Sequence, residues 1–353
     1  MIFIFIFIFI VVDKRLDDWV SETELSYMKA DDKKRRKAEE QSSITTRSVS
    51  RKLVASGLEE EEPEKMSAVE REYEERTKVK NIHSVVLGKY EIRVWYYSPY
   101  PSEFVPCERL YICEFCLKYM KERGTLAYHR ARCARRHPPG CEVYRDGERS
   151  FWEIDGARAK LYCQNLCLVG KLFLEHKTLY YDVESFLFYV LTERDAAGCH
   201  VVGYFSKEKY SKENNLACIM TLPPHQRKGY GQYIIDFSYA ISKLEARVGS
   251  PERPLSDLGH NSYLSYWTRT ALETIHAHGT AQPHKGAAAR TPISLPDLVK
   301  ATAIKQDDII EALHPYGLIC VHKGIHVLAN CPIQKVYLLF IILLFIFIIF
   351  IIF

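Results

Sequence analysis

Near Thr221 an apolar run ends in a proline pair and gives way to a basic, glycine-punctuated turn, Asn215-Leu-Ala-Cys-Ile-Met-Thr-Leu-Pro-Pro-His-Gln-Arg-Lys-Gly-Tyr-Gly231. These residue types suit anion binding. Gly229 and Gly231 can adopt positive φ and bring backbone N–H groups close to a ligand, while Arg227 and Lys228 add charge. The residues that follow open a helix, whose N-terminus favours negative groups. A pyrophosphate fits such a turn. The spacing Gln-Arg-x-Gly-x-Gly lacks both the Gly-Lys-Ser/Thr of a Walker loop and the third glycine of a dinucleotide fingerprint. Taken alone, a basic glycine turn is more often an ordinary solvated loop, so its neighbours decide.

A second constellation points to metal. Cys113-x2-Cys116-x12-His129-x3-Cys133 sets two thiolates on a tight knuckle, then an imidazole and a thiolate one helical turn apart, the ligand spacing of a structural zinc site. Four protein ligands leave no open coordination position, so the ion would staple the fold rather than catalyse. Arg130, Arg132, Arg135 and Arg136 near the finger's end could meet DNA. One finger covers about three base pairs and binds weakly outside an array, so scaffolding is the expected role.

Several elements must hold these residues. From Lys89 the alternation of Tyr90, Ile92, Val94 and Tyr96 reads as a strand with one buried face, and folded structure is expected to begin near there. Phe186–Thr192 and Cys199–Phe205, joined by a turn at Asp195–Gly198, read as a hairpin, and a further strand is expected over Leu216–Thr221. Ile234, Phe237, Ile241 and Leu244 recur at steps of three and four, which predicts an amphipathic helix from Gly231 to about Ala246. Strand, anion loop and helix are thus consecutive. Ala277–Thr291 is rich in Ala, Gly, His and Pro and reads as a loop; Leu295–Leu313 reads as two short helices and Leu318–Leu328 as a hairpin around Lys323-Gly324.

The chain has 353 residues, 47% hydrophobic and 26% charged, ordinary values for a globular protein of about two domains, and its net charge of +4 is mild. Its eleven cysteines are scattered, and without a credible signal peptide they suit reduced thiols and metal ligation in the cytosol or nucleus better than a disulfide framework. Residues 1–12 and 336–353 are Ile/Phe/Leu repeats. The second is long enough to span a bilayer, but both read as low-complexity sequence, and a membrane partner is not expected. Residues 13–77 form a charged linker with the basic cluster Lys33-Lys-Arg-Arg-Lys37, which is either a solvated charge run or a nuclear-import or nucleic-acid contact.

From about Lys78 to about Leu328 the chain resembles the MYST histone acetyltransferases. The likeness is carried, in the family's order, by Tyr111-Ile-Cys-Glu-Phe-Cys-Leu-Lys-Tyr-Met120, Tyr162-Cys-Gln-Asn-Leu-Cys-Leu168, Lys171-Leu-Phe-Leu-Glu-His-Lys-Thr-Leu-Tyr-Tyr-Asp182, the glycine turn and Ser250-Pro-Glu-Arg-Pro-Leu-Ser-Asp-Leu-Gly259. Asp13-Lys-Arg-Leu-Asp-Asp-Trp-Val20 also resembles the end of the chromo barrel of the males-absent-on-the-first and Tip60 branches, without the barrel's earlier strands. The resemblance implies an α/β (α+β) acetyltransferase core over residues 78–335. It adds an N-terminal zinc-finger subdomain at about 107–140 and a C-terminal helix-turn-helix-like subdomain.

The residue roles it implies are these. Cys113, Cys116, His129 and Cys133 bind zinc. Ile219, Thr221, Gln226, Arg227, Lys228, Gly229, Tyr230, Gly231, Gln232, Ser256 and Ser265 bind acetyl-coenzyme A, with weaker binding expected because Gln232 and Leu264 replace the family's usual basic residues. Glu252 is the proton acceptor and Cys218 the active-site cysteine, expected at the end of its strand. Lys177 matches the lysine the family acetylates on itself. An acceptor lysine is protonated at neutral pH, with a pKa of about 10.4, and attacks only as the free amine, so a base is required. Cys218 either carries the acetyl group or only shapes the pocket; direct attack is favoured, since apolar company would raise its thiol pKa. The implied activity is nuclear lysine acetylation of histone tails, histone H4 foremost, on nucleosomes and with complex subunits as partners. A non-catalytic chromatin- or DNA-binding module is the competing reading.

Overall fold

The computed structural model describes residues 80–104, 107–280, 293–322 and 325–328. The charged segment 13–77, the chromo-barrel likeness, both apolar termini and most of the loop expected before Thr291 lie outside the described residues.

Order begins before Lys89. A hairpin of β1 (Ser84–Leu87) and β2 (Tyr90–Arg93) opens the domain, because Val85 and Leu87 already alternate inward. Strand β3 (Arg109–Ile112) adds parallel to β1, and β4 (Tyr119–Met120) pairs back on β3, giving a sheet ordered β2-β1-β3-β4. Helix α1 (Arg123–Arg132) packs on β3 and β4.

The central sheet is antiparallel and five-stranded: β5 (Cys141–Asp146), β6 (Arg149–Asp155), β7 (Phe186–Asp195), β8 (Gly198–Glu208) and β10 (Cys218–Thr221), in the order β10-β8-β7-β6-β5. The hairpin expected between Phe186 and Phe205 is the β7–β8 pair. Alternation along the strands sends side chains to opposite faces. Trp152, Ile154, Phe188, Val190 and Tyr204 pack with α2 (Lys160–Lys171), while Phe151, Tyr189, Leu191 and Phe205 pack with the helix that follows the glycine turn. Each such burial contributes about 1.5–3 kcal/mol. On α2, Gly170 is dictated by contact: a Cβ there would lie 2.3 Å from the Tyr204 hydroxyl oxygen.

The strand expected over Leu216–Thr221 is two strands. Ala217 breaks it, its N–H turning to the Ser206 carbonyl, so β9 (Asn214–Leu216) leaves the main sheet and pairs in parallel with β11 (Ser250–Pro251). Helix α3 (Tyr230–Leu244) is the predicted amphipathic helix, but its buried face runs through Ile234, Ile235, Ser238, Tyr239 and Ser242, and Leu244 is 88% exposed. Two small serines let α3 lie close, their hydroxyls bonded back into the helix at Ile235 and Ser238.

The C-terminal part comprises α4 (Asp257–Thr280), α5 (Leu295–Thr302), α6 (Gln306–Leu313) and the antiparallel pair β12 (Ile319–His322) and β13 (Ile325–Leu328). Ala277–Thr280, expected in a loop, continue α4. Ser294 caps α5 by accepting from the Asp297 N–H at 3.2 Å, and α5 and α6 are joined through Ala303 in the left-handed region. Tyr263, Trp267, Leu298, Ile309 and Leu313 build a separate core against α3. The fold is mixed α/β, with the zinc-finger elements on its N-terminal side and a helical subdomain at its C-terminus. Among the described residues no helix is long and apolar enough to cross a membrane.

Candidate active site and zinc site

The glycine turn differs from its sequence reading at one point: Gly231 already lies inside α3, so only Gly229 of the two glycines takes a positive φ. Pro223 starts a short 3₁₀ turn, Arg227 sits at φ 59° and Gly229 at φ 82°, the left-handed cap of α3. No side chain caps α3, so the first-turn N–H groups after Gly229 have no intrahelical acceptor and point outward, as an anion site requires. Side chains of the turn brace it. Gln226 donates to the Thr221 carbonyl at 3.1 Å, Lys228 to the Pro224 carbonyl at 2.9 Å, and the Tyr230 hydroxyl to Glu193. Gln232, where a basic residue was expected, donates to the Ser262 carbonyl at 2.8 Å and ties α3 to α4. Ile219 and Thr221 line β10 half-buried beside the turn. Ser256 is spent on α4, its hydroxyl accepting from the Gly259 N–H at 3.1 Å, and Ser265 is exposed on α4 one turn beyond Ser262.

Cys218 opens β10 rather than ending it, because the break at Ala217 places it opposite Ser206 of β8. Its surroundings are not apolar. The Tyr204 hydroxyl lies 4.0 Å from its sulfur, and the half-buried Lys177 amine hydrogen-bonds both the Cys218 and Cys167 thiols. Burial disfavours the charged Lys177, but the two sulfurs more than offset this, and its pKa lies above the ordinary lysine value. The premise that apolar company surrounds Cys218 therefore fails.

Glu252 follows β11, its backbone N–H donating to the Leu216 carbonyl at 2.8 Å, which holds it beside the segment leading into Cys218. The residue is exposed, yet its carboxyl is partly desolvated. That desolvation, with the nearby charge of Glu208, raises its pKa above the usual carboxylate range, and Lys177 opposes the rise. Glu252, Lys177 and Cys218 thus share one site, with an open turn on the same β10–α3 connection. Cys167, Tyr204 and Glu208 belong to it as well, although nothing in their spacing marks them in the sequence.

The four predicted zinc ligands converge, their ligand atoms all lying within 4.8 Å of one another. Tetrahedral zinc with bonds of about 2.0–2.3 Å needs ligand separations of about 3.3–3.8 Å, so the set fits with small adjustment. Local backbone explains the convergence: the Leu117 N–H closes the knuckle on the Cys113 carbonyl, and the Cys133 N–H continues α1 onto His129. The Cys113 and Cys116 thiols hydrogen-bond one another across the knuckle, which favours the thiolate at Cys113 and the protonated thiol at Cys116. Next to the site, Glu114 accepts from Arg130 at 2.8 Å and pairs with His200 of β8 at 2.7 Å, clasping the finger to the central sheet. His200 and Ser206, which faces Cys218, are six residues apart on β8, about 20 Å of strand. Zinc held by these four residues would leave no coordination position open and would cross-link the fold.

Both regions fall within stretches of the chain that match known proteins. Residues 79–133 match the MYST family zinc finger domain and residues 137–337 match the MOZ/SAS family. The putative MYST-like histone acetyltransferase 1 of Oryza sativa subsp. japonica is 49% identical over 323 residues, 91% of this chain and 69% of the relative. The histone acetyltransferase of the MYST family 2 of Arabidopsis thaliana is 50% identical over 323 residues, 91% of this chain and 70% of its own length. Histone acetyltransferase MOF of Drosophila melanogaster is 50% identical over 263 residues, 74% of this chain and 31% of that protein. With one family model covering more than half of it and relatives matched along most of both chains, the chain belongs to the MYST (MOZ/SAS) family of histone acetyltransferases, which draw acetyl groups from acetyl-coenzyme A.

Proposed function

We propose that this chain acetylates lysine side chains of histone tails in the nucleus, a lysine of the histone H4 tail foremost, within a chromatin-modifying complex that regulates transcription. The observation that carries the reading is the grouping of Glu252, Lys177 and Cys218 beside an open, positively charged helix N-terminus.

Acetyl-coenzyme A is the donor substrate. Arg227 and Lys228 and the first-turn N–H groups of α3 would take its pyrophosphate, with Ile219, Thr221 and Tyr230 beside it. Glu252 would remove the proton from the acceptor ammonium, and the free amine would attack the thioester carbonyl, releasing the coenzyme thiolate. A raised carboxyl pKa suits this role, because it brings the base closer to the pH at which it works. Cys218, with the Tyr204 hydroxyl and the Lys177 amine against its sulfur, would either shape the pocket or carry the acetyl group, and Lys177 would accept an acetyl group from the enzyme itself. Zinc, when bound, supplies cross-linking of Cys113, Cys116, His129 and Cys133 and no chemistry at the acetyl group.

The alternative of a DNA-binding finger gains little support. Arg130 is engaged by Glu114, Arg136 donates to the Cys133 carbonyl at 2.5 Å and Arg132 stacks 3.5 Å over the Tyr128 ring, so three of the four arginines serve the fold and a weak contact remains through Arg135. Radiolabelled acetyl transfer to separate core histones, beside DNA shift assays, tests the proposal: label on H4 above the other histones is expected. Shifted DNA without any labelled histone would overturn it.

A further inference from the structure

Arg253 stands next to Glu252 in sequence, yet its guanidinium is turned away into the C-terminal subdomain. It donates to Asp308 Oδ1 at 2.9 Å and to Glu311 Oε2 at 3.0 Å, both on α6, and lies 5.9 Å over the ring of the fully buried Trp267. Asp308 is 1% exposed, a burial that a carboxylate rarely shows unless it is paired, as it is here with Arg253. The other oxygen of Glu311 meets His260 Nε2 of α4 at 2.7 Å, so the acceptor itself is fixed from a second helix. Further backbone ties hold the same segment: the Gly249 N–H donates to the Ala303 carbonyl and the Lys305 N–H to the Gly249 carbonyl. Residues 249–253 are therefore gripped on one side by β9 and on the other by the α5–α6 turn.

We propose that Asp308 and Glu311 are positioning residues for acetyl transfer, holding Arg253 so that the backbone carrying Glu252 stays in place and the guanidinium stays away from the Glu252 carboxylate. The proposal rests on Glu252 being the base. The charges that face Glu252 are Glu208 of β8, which weakens its acidity, and Lys177, which strengthens it, while Arg253, although adjacent in the chain, gives its guanidinium to Asp308 and Glu311. A released guanidinium would pair with Glu252 and make it a poorer base. The C-terminal subdomain thereby governs the proton acceptor without touching substrate.

The test is steady-state acetyl transfer by the full zinc-loaded chain, with pH profiles, for Asp308→Asn, Glu311→Gln, Arg253→Lys and Glu252→Gln. Asp308→Asn should lower kcat by about 10²-fold, the cost of displacing a catalytic group by about 1 Å, and Glu311→Gln by less. KM for acetyl-coenzyme A should hold steady, and the acidic limb of both profiles should move to lower pH. Arg253→Lys, which keeps one charged contact, should retain most of kcat. Glu311 is partly exposed, so Glu311→Gln decides the matter if Asp308→Asn fails to fold. An unmoved acidic limb in folded Glu311→Gln, with or without a fall in kcat, overturns the proposal. Full activity of Glu252→Gln would instead bring down the assignment of the base itself.

Discussion

The backbone N–H of Glu252 donates to the Leu216 carbonyl over 2.8 Å, and Cys218 begins its strand two residues later. One hydrogen bond thus couples the loop that carries the carboxylate to the strand that feeds the glycine turn. The break at Ala217 makes this possible, since a continuous strand would keep Leu216 in the main sheet and deny its carbonyl to Glu252.

Lys177 lowers the pKa of Glu252 from a site it shares with two thiols. Neutralising it, by Lys177→Met or by acetylation, removes that opposing charge and should move the acidic limb of the pH–rate profile to higher pH. Incubation with acetyl-coenzyme A followed by peptide mass spectrometry should find the acetyl group on Lys177. An unmoved limb in Lys177→Met would show that the two groups do not interact.

Gly229 holds a left-handed conformation in open space, so replacing it tests the backbone alone. Gly229→Ala should cost about 1–3 kcal/mol locally, and the turn should relax away from the anion-binding shape. The readout is acetyl-coenzyme A affinity by calorimetry, expected to weaken several-fold with little change in the zinc content. Wild-type affinity would remove the turn from coenzyme binding.

One zinc ion per chain is expected by elemental analysis. Cys113→Ser or Cys133→Ser, or chelation of the wild type, should lower the melting temperature and expose the β3–β4–α1 region to protease, because a structural zinc site contributes folding free energy directly. Activity should fall in step with stability. A metal-free purified wild type with full stability would refute the site.

Cys218→Ala separates the two chemical routes. Direct attack predicts that the variant keeps a substantial fraction of activity and that both substrates must be bound together before transfer. A competent acetyl-cysteine at position 218, isolated from the wild type, with a dead Ala variant and ping-pong kinetics, would establish the covalent route instead.

What the sequence showed, it showed through local rules. The zinc ligands are legible because their spacing is a coordination geometry, and the strand, turn and α3 because period, proline and glycine fall in order. What it hid depends on distant partners. The inward stripe of α3 includes Ser238 and Ser242, which no hydrophobic period would select, and excludes Leu244. The division of Leu216–Thr221 required β11, far along the chain, as a competing partner for β9. Helix α2 buries Asn165 and Lys171 and leaves Leu161 71% exposed, so hydropathy alone does not mark its inner face. The polar neighbours of Cys218 come from α2, the loop after it and β8, and no reading of its own strand could supply them.

The central claim, that Glu252 is the base for acetyl transfer to a histone lysine, is tested most directly by single-turnover transfer with wild type and Glu252→Gln across a pH series. A carboxyl raised above its usual range loses its basic form as pH falls through that raised value, so the wild-type rate should drop there and hold above it. Glu252→Gln should be slower by about 10² to 10⁴ at neutral pH, bind acetyl-coenzyme A nearly as well, and recover in part at high pH as the acceptor amine loses its proton unaided. A Glu252→Gln enzyme with wild-type rates and an unchanged profile would contradict the account.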